Sequence, residues 1–294
     1  MDYRKNGANH GGHHEQLHHK AIDMKWSDYL YAVFHDFHVL QYYNYARPGA
    51  VIDAEIIPPG LETYGTLQTQ LDEFGELFTP LPGPAKVNWH SDDSLFVVFF
   101  GINDMGRMNR EDLGRKDIKN TSKALAKSLV DSCRRLHKLG AESILIMNLP
   151  PLDVSPKYNL PHETGVDSHE LIGRSVVEYN RALAQEIAKW KDELEAETDG
   201  QKENRAKIML FDLESFWSLV MRYPEAFGMT ECARYEMYVD QKRPNKGRMG
   251  YCYHDNQHIS WSSAELIART VNGFLHRHSI SFQENNATET ALYA

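Results

Sequence analysis

Two apolar periodicities alternate along this chain. Trp26, Tyr29, Leu30 and Phe34 recur at helical spacing, as do Leu67, Leu71 and Phe74. Residues 39–45 read as a strand closed by the turn Arg47-Pro48-Gly49. Residues 95–100 form a continuous run of aromatic and β-branched side chains, which predicts a strand buried on both faces. Leu125, Leu129, Cys133 and Leu136 predict a helix that stops at Leu139-Gly140. A further buried strand is expected over 144–147, ended by Pro150-Pro151. Ile172, Val176, Leu183, Ile187, Trp190 and Leu194 mark a long amphipathic helix, followed by a polar, charge-dense connector over 191–207. The last elements are a strand over 208–211, a helix from about 213 to 220, and a helix carrying Ala264, Ile267, Val271 and Leu275. Strand and helix patterns alternate without an internal repeat, which predicts parallel βαβ units in one α/β domain.

Composition narrows the function classes. With 41% hydrophobic and 25% charged residues, the 294-residue chain has globular composition and is long enough to bury a sizeable core. Its formal net charge of −9 offers no electrostatic footprint for a phosphate backbone, so no nucleic-acid partner is expected. The longest apolar run, residues 95–102, is far short of the roughly 20 residues a membrane helix needs. No signal peptide is read, because residues 1–25 contain no apolar core of the kind such peptides carry. Those residues are polar and rich in histidine; a metal site is conceivable there, but the favoured reading is a disordered or loosely ordered lead-in to a domain over 26–280, with a polar tail over 281–294.

The three cysteines are too few for a disulfide-built scaffold and lack zinc-site spacing, so no metal or other cofactor is expected. One bridge, Cys232 to Cys252, is the favoured pairing, which leaves Cys133 as a small buried hydrophobe in its helix. The tripeptides Asn120-Thr121-Ser122 and Asn286-Ala287-Thr288 would accept glycans in a secreted chain, although such tripeptides often arise by chance.

In an open parallel sheet, ligands sit beyond the C-terminal ends of the strands. Three polar clusters are placed to reach such ends. The segment 44–50 includes Gly49, whose backbone N–H is unobstructed. In Gly101-Ile102-Asn103-Asp104 a buried strand opens into a glycine and then a side-chain amide. In Asp255-Asn256-Gln257-His258 a carboxylate and an imidazole stand three apart just before a helix. Gly49 and Asn103 are thus candidate donors to a developing oxyanion, and Asp255 and His258 a candidate pair in which the carboxylate sets the tautomer of a base. Each cluster alone is more often structural: an Asp-x-x-His pair is commonly a surface pair or helix cap, and Gly-x-Asn-Asp a plain turn. Order and spacing on one α/β frame raise the odds.

These clusters resemble the sequence blocks of the SGNH/GDSL family of ester hydrolases, closest to its fungal acetylesterase-like branch. Asn44-Tyr45-Ala46 with Gly49-Ala50 is similar to the family's second block, Gly101–Asp104 to its third, and Asp255–His258 to its fifth. Asn148-Leu149-Pro150-Pro151, Phe211-Asp212, the segment 223–228 and the Cys pair before the fifth block are also similar to family members. The resemblance runs from about Trp26 to His278. It implies a three-layer, flavodoxin-like parallel sheet flanked by helices, and a substrate that is a small-molecule or glycan ester. It assigns His258 as general base, Asp255 as its orienting acid and Gly49 and Asn103 as the oxyanion hole. Relatives of this kind are often secreted.

Two departures accompany it. Ile259-Ser260 stands where the family usually has Pro-Thr, and His254 where it usually has Trp; turn support and loop packing are the readings preferred for His254 and for Asp104. More importantly, the first block, a buried strand ending in Gly-Asp-Ser that holds the nucleophile, has no counterpart: residues 1–25 contain no serine, and Ser27 lies on the opening helical pattern. The resemblance therefore implies that Met1 stands just after that block, that no nucleophile is present, and that the sheet lacks its first strand. Three readings follow: an ester hydrolase by descent, acting on acyl or acetyl esters of carbohydrate or lipid; a non-catalytic relative that binds an ester, glycan or protein; and, least favoured, direct activation of water by Asp255 and His258.

Overall fold

A computed structural model describes residues 25–35, 40–79, 87, 89–108, 117–197, 206–236 and 250–278. The tail expected over 281–294, and all but the last residue of the lead-in expected over 1–25, lie outside them. In chain order the elements are α1 (Trp26–His35), α2 (Leu67–Phe78), β1 (Leu95–Val98), α3 (Ile102–Met108), α4 (Ile118–Lys138), β2 (Ser143–Met147), α5 (Pro156–Asn159), α6 (His169–Glu197), β3 (Lys207–Phe211), α7 (Leu213–Arg222), β4 (Glu231–Tyr235), β5 (Tyr251–Tyr253) and α8 (Trp261–Arg277). They divide into two compact units, one of Tyr45–Val154 and Thr164–Leu219, the other of Met1–Asn44, Ser155–Glu163 and Val220–Ala294.

The first unit holds a parallel sheet in the order β1-β2-β3. Phe96 aligns with Ile144, and Ile144 with Ile208, so the expected strands over 95–100, 144–147 and 208–211 are neighbours in one α/β sheet flanked by helices. β2 is its centre: Ile144, Leu145, Ile146 and Met147 are all fully buried, as a strand covered on both faces requires. α4 starts on an Asp117 cap that accepts from the Asn120 N–H, and buries Leu125, Leu129, Cys133 and Leu136. It packs along α6, which buries Ile172, Val176, Tyr179, Leu183, Ile187 and Trp190. The Arg134 guanidinium lies over the Trp190 ring, 5.4 Å from its centroid. α6 runs on to Glu197, further than the pattern suggests: residues 191–197, expected in a connector, continue the helix, with Lys191, Asp192 and Glu195 exposed and Glu193 paired with Arg134.

Two strand expectations are corrected. Of the strand expected over 39–45, residues 40–45 form none; Leu40, Gln41, Tyr43 and Asn44 are exposed, and among the described residues the segment joins no sheet. Nor is β1 buried on both faces. Phe96 packs edge-on to Phe74 and Trp89 at ring separations of 5.3 Å each, but Leu95 and Val97, pointing the other way, are 41% and 39% exposed. Among the described residues β1 is the edge of the sheet.

The second unit is built around α1 packed on α8, with Leu30, Ile267, Ala268 and Val271 buried, and a small parallel pair of strands, β4 and β5. The bridge Cys232–Cys252 ties these two strands, as expected, and Cys133 is free and buried. α8 is capped by Ser260, whose hydroxyl accepts from the Ser263 N–H and donates to the Tyr251 carbonyl; the Ser263 hydroxyl donates to the Cys252 carbonyl at 2.8 Å. The helix start is thereby pinned to the end of β5.

Candidate active site

The loop between β5 and α8 is a tight reversal. Tyr253 and Ile259 face one another in an antiparallel bridge, and the His254 N–H donates to the His258 carbonyl at 2.8 Å. Across its tip, one Asp255 carboxylate oxygen accepts the backbone N–H groups of Gln257 and His258 at 2.9 and 2.7 Å. The other oxygen lies 2.7 Å from His258 Nδ1. Burial alone would raise the Asp255 carboxyl, but the His258 ring and the two backbone donors outweigh it and hold it down to about 2. An ionised Asp255 can only accept, so Nδ1 carries the hydrogen, and in the neutral ring Nε2 keeps its lone pair. Among the described residues of its unit, His258 makes no further hydrogen bond, and its side chain is 69% exposed. The arrangement is a base with a fixed tautomer and an accessible lone pair.

The sequence reading placed His254 in a merely supportive role, and its surroundings are polar. Its Nδ1 lies 3.2 Å from a carboxylate oxygen of Glu236, which is 2% exposed. Nothing in the sequence pattern marked Glu236 or Glu163, which meets the same loop through Asn256, because neither falls near a motif.

The other predicted pair lies in the first unit. Pro48 and Gly49 are the central residues of a turn in which the Ala50 N–H reaches the Arg47 carbonyl at 3.2 Å. Gly49 has φ +78°, which favours glycine, and a Cβ there would clash with the Tyr64 ring. Its own N–H has no hydrogen-bond partner among the described residues. Asn103 follows Gly101 at the start of α3 and donates from Nδ2 to the Ala50 carbonyl at 2.8 Å, and among the described residues its second amide hydrogen has no acceptor. Gly49 and Asn103 are thus brought together through Ala50, as Asp255 and His258 are brought together directly.

Asp104 is fully buried, with one oxygen accepting the Ile52 N–H at 3.0 Å and the other without a partner among the described residues. Burial pushes its carboxyl up to about 7, the Ile52 and Asp104 N–H groups opposing and the Asp53 charge adding to the rise. The supportive role expected of Asp104 has this physical form: it ties the Gly49 segment to α3.

Beyond β2 and β3 lies a polar network that the sequence marked only in part. Asn148 donates to Asp212 at 2.8 Å and accepts from the Glu214 N–H, while Asn180 from α6 holds both the N–H and the carbonyl of Leu149. Asn180 was missed because a lone amide on a helix carries no pattern. Among the described residues no three His, Cys, Asp or Glu side chains gather as metal ligands, and no helix is long and apolar enough to cross a membrane.

Comparison with known proteins adds an independent line. The family model described as GDSL-like lipase/acylhydrolase matches residues 10–271. An acetylesterase of Thermothelomyces thermophilus is 25% identical over 169 residues, 58% of this chain and 53% of that protein. The chain therefore spans about half the length of this curated relative.

Proposed function

Since the chain belongs to the family of GDSL-like lipases and acylhydrolases, we propose that it is an ester hydrolase by descent, built for acyl or acetyl esters of a carbohydrate or lipid alcohol. The observation that carries this reading is the Asp255–His258 pair: a 2.7 Å contact to Nδ1 with Nε2 left free. In the proposed reaction Nε2 of His258 takes the proton of an attacking hydroxyl. That hydroxyl's oxygen bonds to the acyl carbon, and the carbonyl electron pair moves onto oxygen. The family resemblance assigns the Gly49 N–H and an Asn103 amide hydrogen as donors to that oxyanion. The tetrahedral carbon then expels the alcohol oxygen, which His258 protonates, and water completes the cycle by the same steps. Asp255 keeps the imidazole in the required tautomer and balances its charge while protonated.

The given sequence contains no Gly-Asp-Ser run to supply the hydroxyl. That observation favours a second reading for the chain as it stands: an SGNH-fold protein that binds an ester, glycan or protein without turning it over. Loss of a triad nucleophile leaves only about 10³–10⁴-fold acceleration over water.

One experiment separates the two readings. The chain as given, and a version extended by a strand ending in Gly-Asp-Ser ahead of residue 26, are assayed on short-chain aryl esters and with a serine-directed phosphonate. The hydrolase reading expects neither turnover nor labelling of the first, both in the second, and loss of turnover on His258→Ala in the extended chain. An extended, folded protein that remains inert would overturn it and leave the binding reading. Labelling of the chain as given would overturn the claim that its nucleophile is absent.

A further inference from the structure

The loop that carries Asp255 and His258 is held through the residues between them. The Asn256 carbonyl accepts the Lys157 N–H at 2.7 Å, and the Asn256 Nδ2 donates to one oxygen of Glu163 at 2.8 Å. The other Glu163 oxygen accepts the Tyr235 hydroxyl from β4 at 2.9 Å. Lys157 Nζ reaches the Gln257 side chain at 3.0 Å. Every one of these residues lies in the second unit. Glu163 is aimed by an unusual backbone: His162 before it has φ 69°, and is the one non-glycine residue in that region among the described residues. Such a conformation costs about 1–2 kcal/mol for a residue with a Cβ, and persists where surrounding contacts over-determine it.

We propose that Glu163 and Asn256 are positioning residues for His258: a carboxylate–amide latch, backed by Tyr235, that holds the loop so that the Asp255–His258 bond stays formed. This deepens the reading of Asp255 and His258 as an orienting acid and its base, and rests on it for its functional meaning. Two carboxylates on two neighbouring segments thereby divide the work. Asp255 sets the imidazole tautomer, and Glu163 sets the loop. The latch has an exchangeable chemistry. If the amide and carboxylate trade places in Glu163→Gln/Asn256→Asp, the introduced amide donates to the introduced carboxylate while its oxygen still accepts from Tyr235. Asn256→Asp alone instead sets two carboxylates against each other.

The test reads His258 itself. The ring Nδ1 proton is observed by nitrogen-correlated NMR, assigned by its loss in His258→Ala, and its solvent exchange rate is measured alongside global thermal unfolding. Loss of a hydrogen bond to a charged group predicts exchange faster by about tenfold or more in Glu163→Ala and in Asn256→Asp, with recovery to within about threefold in the double swap. Where a single variant fails to fold, refolding by the swap together with a restored Nδ1 signal counts in favour. Unchanged exchange in folded single variants, or a swap no better than Asn256→Asp, overturns the proposal. The measurement needs no turnover, so it stands apart from the assay above. Should the extended chain prove active, the single variants are expected to lower kcat with KM little changed, since the latch acts on the base and not on substrate.

Discussion

At Asp255 three hydrogen bonds act against one desolvation penalty, and the bonds win. A carboxyl held below its ordinary range stabilises the folded loop fully above that range, and the contribution is lost as pH falls through the native value. The His258 Nδ1 proton signal should therefore survive acidification through about pH 4, where exposed carboxylates titrate, and disappear only as pH approaches 2. Asp255→Asn should remove it wherever the ring is neutral and, in a chain supplied with a nucleophile, lower kcat by about 10⁴-fold through the wrong tautomer. Asp104 behaves oppositely. Its carboxyl is raised to about 7, so the native state binds the proton more tightly than the unfolded chain. Stability from this group is complete below the ordinary carboxylate range and is lost as pH rises through about 7. Asp104→Asn keeps an acceptor for the Ile52 N–H but buries an amide where the second oxygen has no partner. The variant should be slightly less stable than the parent near pH 4, and more stable above pH 8 by up to roughly 4 kcal/mol. Denaturant titrations at the two pH values check the crossing; parallel curves would remove the buried-carboxylate account.

At the scale of elements, β1 is the informative one. Its apolar run matches that of a central strand, yet only the Phe96 side is covered, by the Phe74 and Trp89 rings. Phe96→Ala should then cost about 3 kcal/mol or more, while Val97→Thr should fall within about 0.5 kcal/mol of the parent, as surface changes do. Chemical denaturation distinguishes the two; an equal, large loss would mean that Val97 is packed. The same contrast explains what the pattern conveyed. α4 and α6 were readable because a helix with one buried stripe writes that stripe into its own sequence. β1 was readable as a strand but not as an edge, because burial of its second face depends on what lies alongside it. Residues 39–45 looked like a strand for the same reason, and among the described residues 40–45 form none.

For the whole molecule, the exposed Leu95 and Val97 and the side of β1 left unpaired among the described residues bear on stability as well as activity. A strand supplied ahead of residue 26 that pairs with β1 should raise the thermal midpoint together with turnover, and differential scanning calorimetry of the two chains checks it. A gain in turnover with no gain in midpoint would mean that the added segment does not complete the sheet. The sequence by itself determined the α/β class, the three strands of the parallel sheet, and the local pairing of Asp255 with His258, three residues apart; that Cys232 and Cys252 are bridged was left to the structure. These rest on short-range periodicity, turn chemistry and block order, all of which a linear chain records. Only the tertiary structure decided the edge position of β1, the burial that raises Asp104, the tie from Asn103 to Ala50, and the Glu163–Asn256 latch, whose partners lie 93 positions apart. Hydrogen bonds between distant segments and the dielectric around a side chain are properties of the packed chain. No local pattern encodes them.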